Sequence, residues 1–218
     1  MFIHYHMTPE PVAVQPHETV AEAIEILEQH SFRHLPVVDE EGVLLGMVSD
    51  RDLRSALPST VARSTQREEV ETRINNTPLS AFMTRDCLSL SPMATLDDGL
   101  LLFQRHKIGA LPVLDEAGRL IGMFTIGDLL RAYRSLFGLG DMGSVLISVE
   151  DDGDPRVLSR LVQVLEEKQI SFSRLVRKAA TRRTKPMIFL RVNAYNIRSV
   201  HKALEAAGFT IHVPYAAS

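Results

Sequence analysis

One stretch of sequence occurs twice in this chain, and its duplication decides the fold. Residues 35–52 read LPVVDEEGVLLGMVSDRD, and residues 111–128 read LPVLDEAGRLIGMFTIGD. Matching residues keep a constant offset of 76, so no insertion separates the two copies. Self-similarity of this kind indicates two copies of one supersecondary unit, each burying its apolar face against its twin. We therefore expect a pseudo-symmetric pair that encloses a cleft.

Each copy shows the same order of secondary-structure signals: strand, helix, strand, strand, helix. Thr19 and Glu22 form a capping box that opens a helix, as do Thr95 and Asp98 in the second copy. Short strands lead into these helices at residues 12–14 and 88–90. In the first copy, further strands are predicted at residues 35–38 and 44–48, with a turn at 39–42 between them and a helix that opens at 49–52.

These motifs resemble the CBS domain, and two in tandem are similar to a CBS pair, or Bateman module. The resemblance covers roughly residues 7–135. It rests on Leu-Pro-Val-hydrophobic-Asp followed by Gly-Met-hydrophobic-(Ser/Thr)-x-x-Asp, both present twice in register. The resemblance implies a regulatory adenosyl ligand in the cleft, namely AMP, ADP, ATP or S-adenosylmethionine, and no catalytic cofactor.

Ser49 and Asp52 are the centre of the predicted binding site. A helix start with a serine hydroxyl suits a phosphate, and a carboxylate one turn later suits a ribose diol. The same pair is also an ordinary N-cap that needs no ligand, and that alternative stays open. The resemblance implies a wider set of residues around the clefts: Thr8, Val12, Arg33, His34, Leu35, Pro36 and Arg51, then Thr84, Leu88, Gly109, Ala110, Leu111, Pro112, Thr125 and Asp128.

Charge distinguishes the two predicted clefts. Around Ser49 the sequence places Arg33, His34, Arg51 and Arg54, whereas the matching positions around Thr125 hold Gly109, Ala110, Gly127 and Leu130. A polyphosphate needs cationic partners. We therefore expect ATP to prefer the cleft of Ser49.

Composition changes after residue 143. Residues 1–143 carry 12 Lys+Arg and 20 Asp+Glu, whereas residues 144–218 carry 12 and 7. This shift predicts a boundary at a glycine-rich hinge. The predicted limits are 1–62 and 81–137 for the copies, 63–80 for a polar connection with a helix near 68–74, 138–143 for the hinge, and 144–218 for the last domain.

The last domain reads as strand, helix, strand, strand, helix, strand, the ferredoxin-like βαββαβ order. Its predicted strands are 145–149, 170–176, 187–192 and 209–213, and its first helix is predicted to open at Asp154-Pro155. This order resembles an ACT domain, although Arg156 stands where that family has glycine. The fold class is therefore α/β (α+β), and the whole chain is similar to acetoin-utilisation proteins of the AcuB type.

Several other classes of function are not expected. Cys87 is the single cysteine, so no internal disulfide can form, and we interpret it as a small core residue. No secretion signal or long apolar run is visible, so a cytoplasmic location is expected. His4 and His6 suggest a frayed N-terminus more than a metal site, and the basic loop at 177–185 a solvated hairpin more than a nucleic-acid surface.

The sequence contains no constellation of catalytic residues, so we expect a sensor and not an enzyme. We expect a homodimer that passes the ligand signal to an enzyme partner, without nucleic acid or membrane. The alternative is a dimeric scaffold with vestigial clefts that docks a metabolic enzyme.

Overall fold

The computed structural model describes residues 1–56, 72–182 and 184–212. The chain divides into two compact units, Met1–Arg131 and Ala132–Ser218, and the first contains both copies of the repeated stretch. Most of the helix predicted near 68–74 lies outside the described residues, although residues 72–76 are helical. The domain limits given above stay predictions.

The first unit uses one order of elements twice. Its helices and strands are β1 (Thr8–Pro9), α1 (Val20–His30), β2 (His34–Val38), β3 (Leu44–Ser49), α2 (Asp50–Ala56), α3 (Leu96–His106), β4 (Ala110–Leu114), β5 (Leu120–Thr125) and α4 (Ile126–Phe137), which continues into the second unit. Strands β2 and β3 pair antiparallel, as do β4 and β5. The hairpins predicted in the repeated stretch are therefore confirmed.

Local side-chain hydrogen bonds explain why these elements begin and end where they do. The Asp39 carboxylate accepts from the backbone N–H groups of Glu41 at 3.1 Å and Val43 at 2.8 Å, which closes the first hairpin. Both predicted capping boxes are present, at Thr19 for α1 and at Thr95 for α3. These contacts are local in sequence, so the sequence predicts them well.

The strands predicted at residues 12–14 and 88–90 are wrong in extent. Val14 forms a single parallel bridge with Val37, as Leu90 does with Val113. A proline follows each bridge two residues later and has no N–H group to donate. Pairing therefore stops after one residue.

The segments that lead into each copy cross to the sheet of the other copy. Strand β1 pairs antiparallel with β5, with Thr8 opposite Met123. Thr84, the counterpart of Thr8, lies opposite Met47 of β3, and the two residues exchange backbone hydrogen bonds of 2.9 Å each. Each hairpin therefore receives an additional segment from the opposite copy.

The exchange includes the first residues of the chain. Ile3 is fully buried, and its N–H donates to the carbonyl of Ala94 at 2.8 Å. Leu79, its counterpart 76 residues later, is also fully buried. The predicted fraying around His4 and His6 is therefore wrong, because a buried side chain and backbone hydrogen bonds hold this segment.

Two glycines make room for the crossing segments. A Cβ on Gly46 would lie 2.7 Å from the carbonyl oxygen of Thr84, and one on Gly122 would collide with the sulfur of Met7. The obstacle at Gly46 is backbone that is itself paired to β3. This position therefore requires glycine for lack of space and not for its φ angle.

We expect Gly46→Ala to destabilise the protein by about 1–3 kcal/mol, the usual cost of overpacking a core. Gly127→Ala is the matched control, because its nearest neighbour would lie at an ordinary 3.5 Å. Urea unfolding of the full chain compares the two variants. Unchanged stability of Gly46→Ala would contradict the close crossing.

The second unit has the predicted βαββαβ order. After the end of α4 come β6 (Ser144–Glu150), α5 (Val157–Glu167), β7 (Phe172–Lys178), β8 (Met187–Asn193), α6 (Ile197–Ala206) and β9 (Ile211–His212). The antiparallel sheet has the strand order β7-β8-β6-β9. Its core includes Ile147, Ile188 and Leu190 from the sheet with Leu161 and Leu204 from the helices.

Three predicted boundaries in the second unit are wrong. Helix α5 begins at Val157 and not at Asp154-Pro155, because Asp154 forms a turn in which its carboxylate accepts from the N–H of Arg156 at 2.8 Å. The strand predicted at 170–176 is Phe172–Lys178. The last strand is only Ile211–His212, and Val213 lies outside the described residues.

Candidate functional site

A cavity of about 1110 Å³ opens in the first unit where the two copies meet. Its walls are the end of α1, the start of β2, the end of β3 and the first turn of α2 from the first copy. The second copy contributes its lead-in segment, the end of α3 and the start of β4. The cavity is therefore a product of both copies.

The cavity brings together some of the predicted site residues but not others. Those that line it are Arg33, His34, Ser49, Arg51, Asp52, Thr84, Leu88, Gly109, Ala110 and Pro112. Those that are not part of its lining are Thr8, Val12, Leu35, Pro36, Leu111, Thr125 and Asp128.

Gly109 and Ala110 lie beside Thr125, where the sequence places them, since Ala110 pairs with Thr125 and the Gly109 carbonyl accepts from the N–H of Ile126 at 3.1 Å. Both residues also line the cavity of Ser49. The start of β4 faces the start of β2, so that a Cβ on Gly109 would lie 3.7 Å from Cε1 of His34. Small residues of the second copy thus widen the cavity of the first.

Ser49 and Asp52 lie where β3 ends and α2 begins. The Ser49 hydroxyl accepts from the N–H of Asp52 at 3.2 Å and donates to its carboxylate at 2.5 Å. The pair therefore caps the helix, as the ligand-free alternative has it. Asp52 is nevertheless exposed, and both residues border the cavity. The same pair can cap the helix and offer polar atoms to a ligand.

Thr125 and Asp128 are the counterparts of this pair, and here the carboxylate is buried. Asp128 is only 2% exposed. Its carboxylate accepts from the backbone N–H of Thr125 at 2.8 Å and from the Thr125 hydroxyl at 2.6 Å, and it also pairs with Arg131. The carboxylate of the second copy is therefore engaged within the protein.

Charged side chains of both signs line the cavity. Arg33, Arg51 and Lys107 lie there, and none of them forms a salt bridge with a described residue. Arg54, which the sequence grouped with them, pairs with Asp50 at 2.5 Å, and this hydrogen bond raises the pKa of Arg54. Arg33, Arg51 and Lys107 therefore have no acidic partner among the described residues, whereas Arg54 has one.

Lys107 is a cavity residue that the sequence analysis missed. It ends α3 with a left-handed φ of 54°, and Ser31, its counterpart 76 residues earlier, ends α1 with a φ of 55°. The two helix ends therefore superpose in the repeat, and only the second carries a charge. A comparison of the copies at this position would have found it.

His34 is the histidine of the cavity with a shifted pKa. Burial lowers the pKa of His34, while Asp52 and Asp50 oppose that shift and Arg33 reinforces it. The imidazole is therefore neutral at pH 7 and can either donate or accept a hydrogen bond.

Cys87 borders the cavity and does not belong to the apolar core predicted for it. The residue is partly exposed, and its Sγ lies 3.0 Å from the carbonyl oxygen of Thr84. Burial raises the pKa of the Cys87 thiol. The thiol is therefore protonated and weakly nucleophilic near neutral pH.

Two other kinds of site are absent from the described residues. No group of three or more His, Cys, Asp or Glu side chains in residues 1–56, 72–182 and 184–212 is arranged to hold a metal ion. Within the same ranges, none of the helices has the length and apolar character that a membrane span needs.

In the basic loop, Arg177 pairs with Asp151 at 2.6 Å and Lys185 with Glu150 at 3.4 Å.

The family model of the CBS domain matches this chain twice, at residues 3–59 and 79–135. The chain belongs to the CBS-domain family. The second match begins at the buried Leu79, within the segment 63–80 that the sequence suggests as a connection. The predicted tandem CBS pair is confirmed.

The similar proteins are matched over about three fifths of this chain, and the share of their own length that the match covers ranges from 23% to 98%. Inosine-5'-monophosphate dehydrogenase of Aquifex aeolicus is 34% identical over 126 residues, which cover 57% of this chain but only 23% of that enzyme. CBSX2 of Arabidopsis thaliana, solved in complex with AMP, is 28% identical with a TM-score of 0.53 and covers 62% of this chain and 98% of its own. AcuB of Vibrio cholerae, assigned by its name to acetoin utilization, is 32% identical with a TM-score of 0.54 and covers 64% of this chain and 94% of its own.

The lowered pKa of His34 predicts a pH dependence of folding stability. In the unfolded chain His34 regains its ordinary pKa of about 6.5, so the unfolded state binds more protons than the folded CBS pair below that pH. We therefore expect stability to fall as the pH drops from about 7.5 to about 5.5, and to fall less in His34→Gln.

Urea unfolding at several pH values tests this expectation. His106→Gln is the control, since His106 borders the same cavity but is exposed. We expect that control to follow the wild type. Identical pH profiles for the wild type and His34→Gln would show that His34 does not resist protonation.

Proposed function

We propose that this CBS protein is a non-catalytic regulator that binds an adenine nucleotide in the cavity of Ser49. The observation that carries the proposal is the convergence, in one cavity, of an accessible Ser49–Asp52 pair with three basic side chains that form no salt bridge with a described residue. CBSX2, a solved relative at 28% identity, was crystallised with AMP, which supports an adenosyl ligand.

Each group in the cavity has a part in the proposed complex. Asp52 accepts hydrogen bonds from the ribose hydroxyls, and the Ser49 hydroxyl turns its proton from Asp52 to the phosphate while it continues to accept from the N–H of Asp52. Arg33, Arg51 and Lys107 neutralise the phosphate charge. Apolar side chains among the lining residues, such as Val48, Leu88 and Pro112, enclose the adenine ring.

We propose one nucleotide site and not two. In the second copy, Asp128 is buried and already bonded to Thr125 and Arg131. A ribose could replace these partners only if the ion pair opened. The remaining predicted residues, Thr8, Val12, Leu35, Pro36 and Leu111, then support the sheets around the cavity.

Regulation requires that the nucleotide favour one state of the protein, since a ligand shifts an equilibrium only through its differential affinity. We propose that the second unit, an ACT-like module, passes this change to an enzyme partner. The similarity to AcuB suggests a partner in acetoin or acetyl-CoA metabolism.

Thermal unfolding with AMP, ADP, ATP and S-adenosylmethionine tests the proposed ligand class. A ligand at 100 times its dissociation constant should add about 2.7 kcal/mol of stability. We expect Asp52→Asn to weaken binding roughly 10- to 100-fold, because a charged acceptor is lost.

The control for this experiment is Asp97→Asn, which changes an exposed carboxylate in the first turn of α3. It should bind as the wild type does. If none of the four ligands stabilises the wild type, the scaffold alternative is correct. If Asp52→Asn binds normally, the ribose lies elsewhere.

Charge in the cavity predicts a preference for polyphosphates. We expect the double variant Arg33→Met, Arg51→Met to lose ATP affinity at least tenfold while adenosine affinity changes little, since adenosine has no phosphate. The ATP effect should shrink as salt rises. Arg105→Met, an exposed change outside the cavity lining, is the control. Equal losses for both ligands would mean that the arginines shape the pocket and do not bind phosphate.

We propose a homodimer formed through the helices of the second copy. Leu101 on α3 and Leu130 on α4 are each 63% exposed, and the first copy has Glu25 and Arg54 at the matching positions. Exposed apolar side chains on one copy only are typical of an interaction surface.

Light scattering should give twice the monomer mass of 24.3 kDa at micromolar concentration. The double variant Leu101→Glu, Leu130→Arg copies the residues of the first copy and should dissociate. A monomeric wild type would contradict the proposed dimer.

A further inference from the structure

A buried arginine of the second unit has no acidic partner among the residues that the structure describes. Arg191, in β8, is only 8% exposed. Among the described residues, its side chain makes one hydrogen bond, of 3.2 Å from Nη1 to the Ser144 hydroxyl, and takes part in no ion pair. A guanidinium has five N–H donors, and a buried charge is costly unless it is paired. The charge of Arg191 is therefore not balanced by an acidic group of the described residues.

The register of the sheet fixes where this side chain lies. Leu190 and Val192, the residues on either side of Arg191, belong to the core under the helices. Because side chains alternate along a strand, Arg191 lies on the opposite, outer face. Its direct neighbours on that face are Leu146 of β6 and Arg174 of β7.

Arg174 is already satisfied by the protein. Its guanidinium donates to the Asp141 carboxylate at 3.0 Å and to the carbonyl oxygens of Leu136 at 2.9 Å and Ser135 at 2.8 Å. The adjacent arginine thus has its own anion, and Asp141 is committed to it. Arg191 is left with donors that no described acidic group meets.

Those donors are still accessible. No buried side-chain nitrogen or oxygen of the described residues lacks a hydrogen-bond partner. Nε and Nη2 of Arg191, which make no hydrogen bond to a described residue, are therefore not completely enclosed by the protein. They are the donors that a small anion would meet on the outer face.

Apolar side chains surround this point. Leu146 is 51% exposed, and the next row of the outer face pairs Phe189 of β8 with Val176 of β7, which is 38% exposed. An inorganic anion would gain nothing from these groups. An anion with an alkyl group would bury them as it pairs with the guanidinium.

We propose that the outer face of this sheet binds a small carboxylate with an apolar side group, and that Arg191 is its anchor. The planar guanidinium matches the two oxygens of a carboxylate in a bidentate pair. Leu146, Val176 and Phe189 contact the alkyl part. This site is independent of the nucleotide cavity.

Saturation-transfer NMR on the full chain tests the proposal with isobutyrate as the probe. Isobutyramide, its uncharged analogue, is the comparison ligand, and inorganic phosphate, which has no proton signal of its own, is added as a competitor. We expect a signal for isobutyrate and not for isobutyramide, little loss of that signal with an equal concentration of phosphate, and an affinity roughly 10- to 100-fold lower in Arg191→Met. Arg198→Met, which changes an exposed arginine of α6, should bind as the wild type does.

Thermal unfolding without ligand gives a second, independent readout. Arg191→Met removes an unpaired buried charge at similar length, so its Tm should equal or exceed that of the wild type. A lower Tm would show that the fold already satisfies Arg191, and would overturn the proposal. An equal signal for isobutyrate and isobutyramide, or displacement of isobutyrate by an equal concentration of phosphate, would overturn the assignment to an apolar carboxylate.

Discussion

The paired backbone hydrogen bonds between Thr84 and Met47 are the contacts on which the cavity depends. They bring the lead-in segment of the second copy to the end of β3, and so place Leu88 next to Ser49 in one cavity. The matching exchange, of β1 onto β5, ties the first residues of the chain to the second copy. Neither CBS copy can therefore complete its sheet, or this cavity, without the other. A change in the relation between the copies must alter the cavity, and this is the physical route by which a ligand and the conformation of the pair can be coupled.

The two copies have the same order of strands and helices, and single amino-acid differences between them give the two carboxylates different surroundings. Asp128 has Arg131 three residues later, one helical turn away, and pairs with it. Asp52 has Ser55 at the same distance, a residue without charge. The carboxylate of the second copy is therefore buried in a salt bridge with Arg131, while that of Asp52 is exposed and borders the cavity. Lys107 adds a positive charge from the second copy to the first copy's site, so the asymmetry involves both halves.

How well the sequence predicted each element depends on how local its cause is. The hairpins and capping boxes were predicted because Asp39, Thr19 and Thr95 act on backbone groups within four residues. The start of α5 was missed because Asp154 can cap a helix or form a turn, and only the turn is realised. The length of the strand at 12–14 was overestimated, because an apolar run does not show how many of its residues pair with a neighbouring strand.

The contacts between the copies could not be predicted from the sequence pattern, because they depend on how the copies pack and not on the spacing of residues. The packing of the two copies brings Gly109 next to His34, and no periodicity of the sequence predicts this contact. The buried state of Ile3 has the same cause. The role of Lys107 was accessible in principle, since aligning the copies places it on Ser31.

Hydrogen–deuterium exchange of the full chain, measured with and without AMP, tests the central claim that one cavity built by both CBS copies binds the nucleotide. We expect AMP to slow exchange in peptides from both copies, at residues 46–54 and at residues 106–112. Protection confined to one copy, or found only in the second unit, would contradict it.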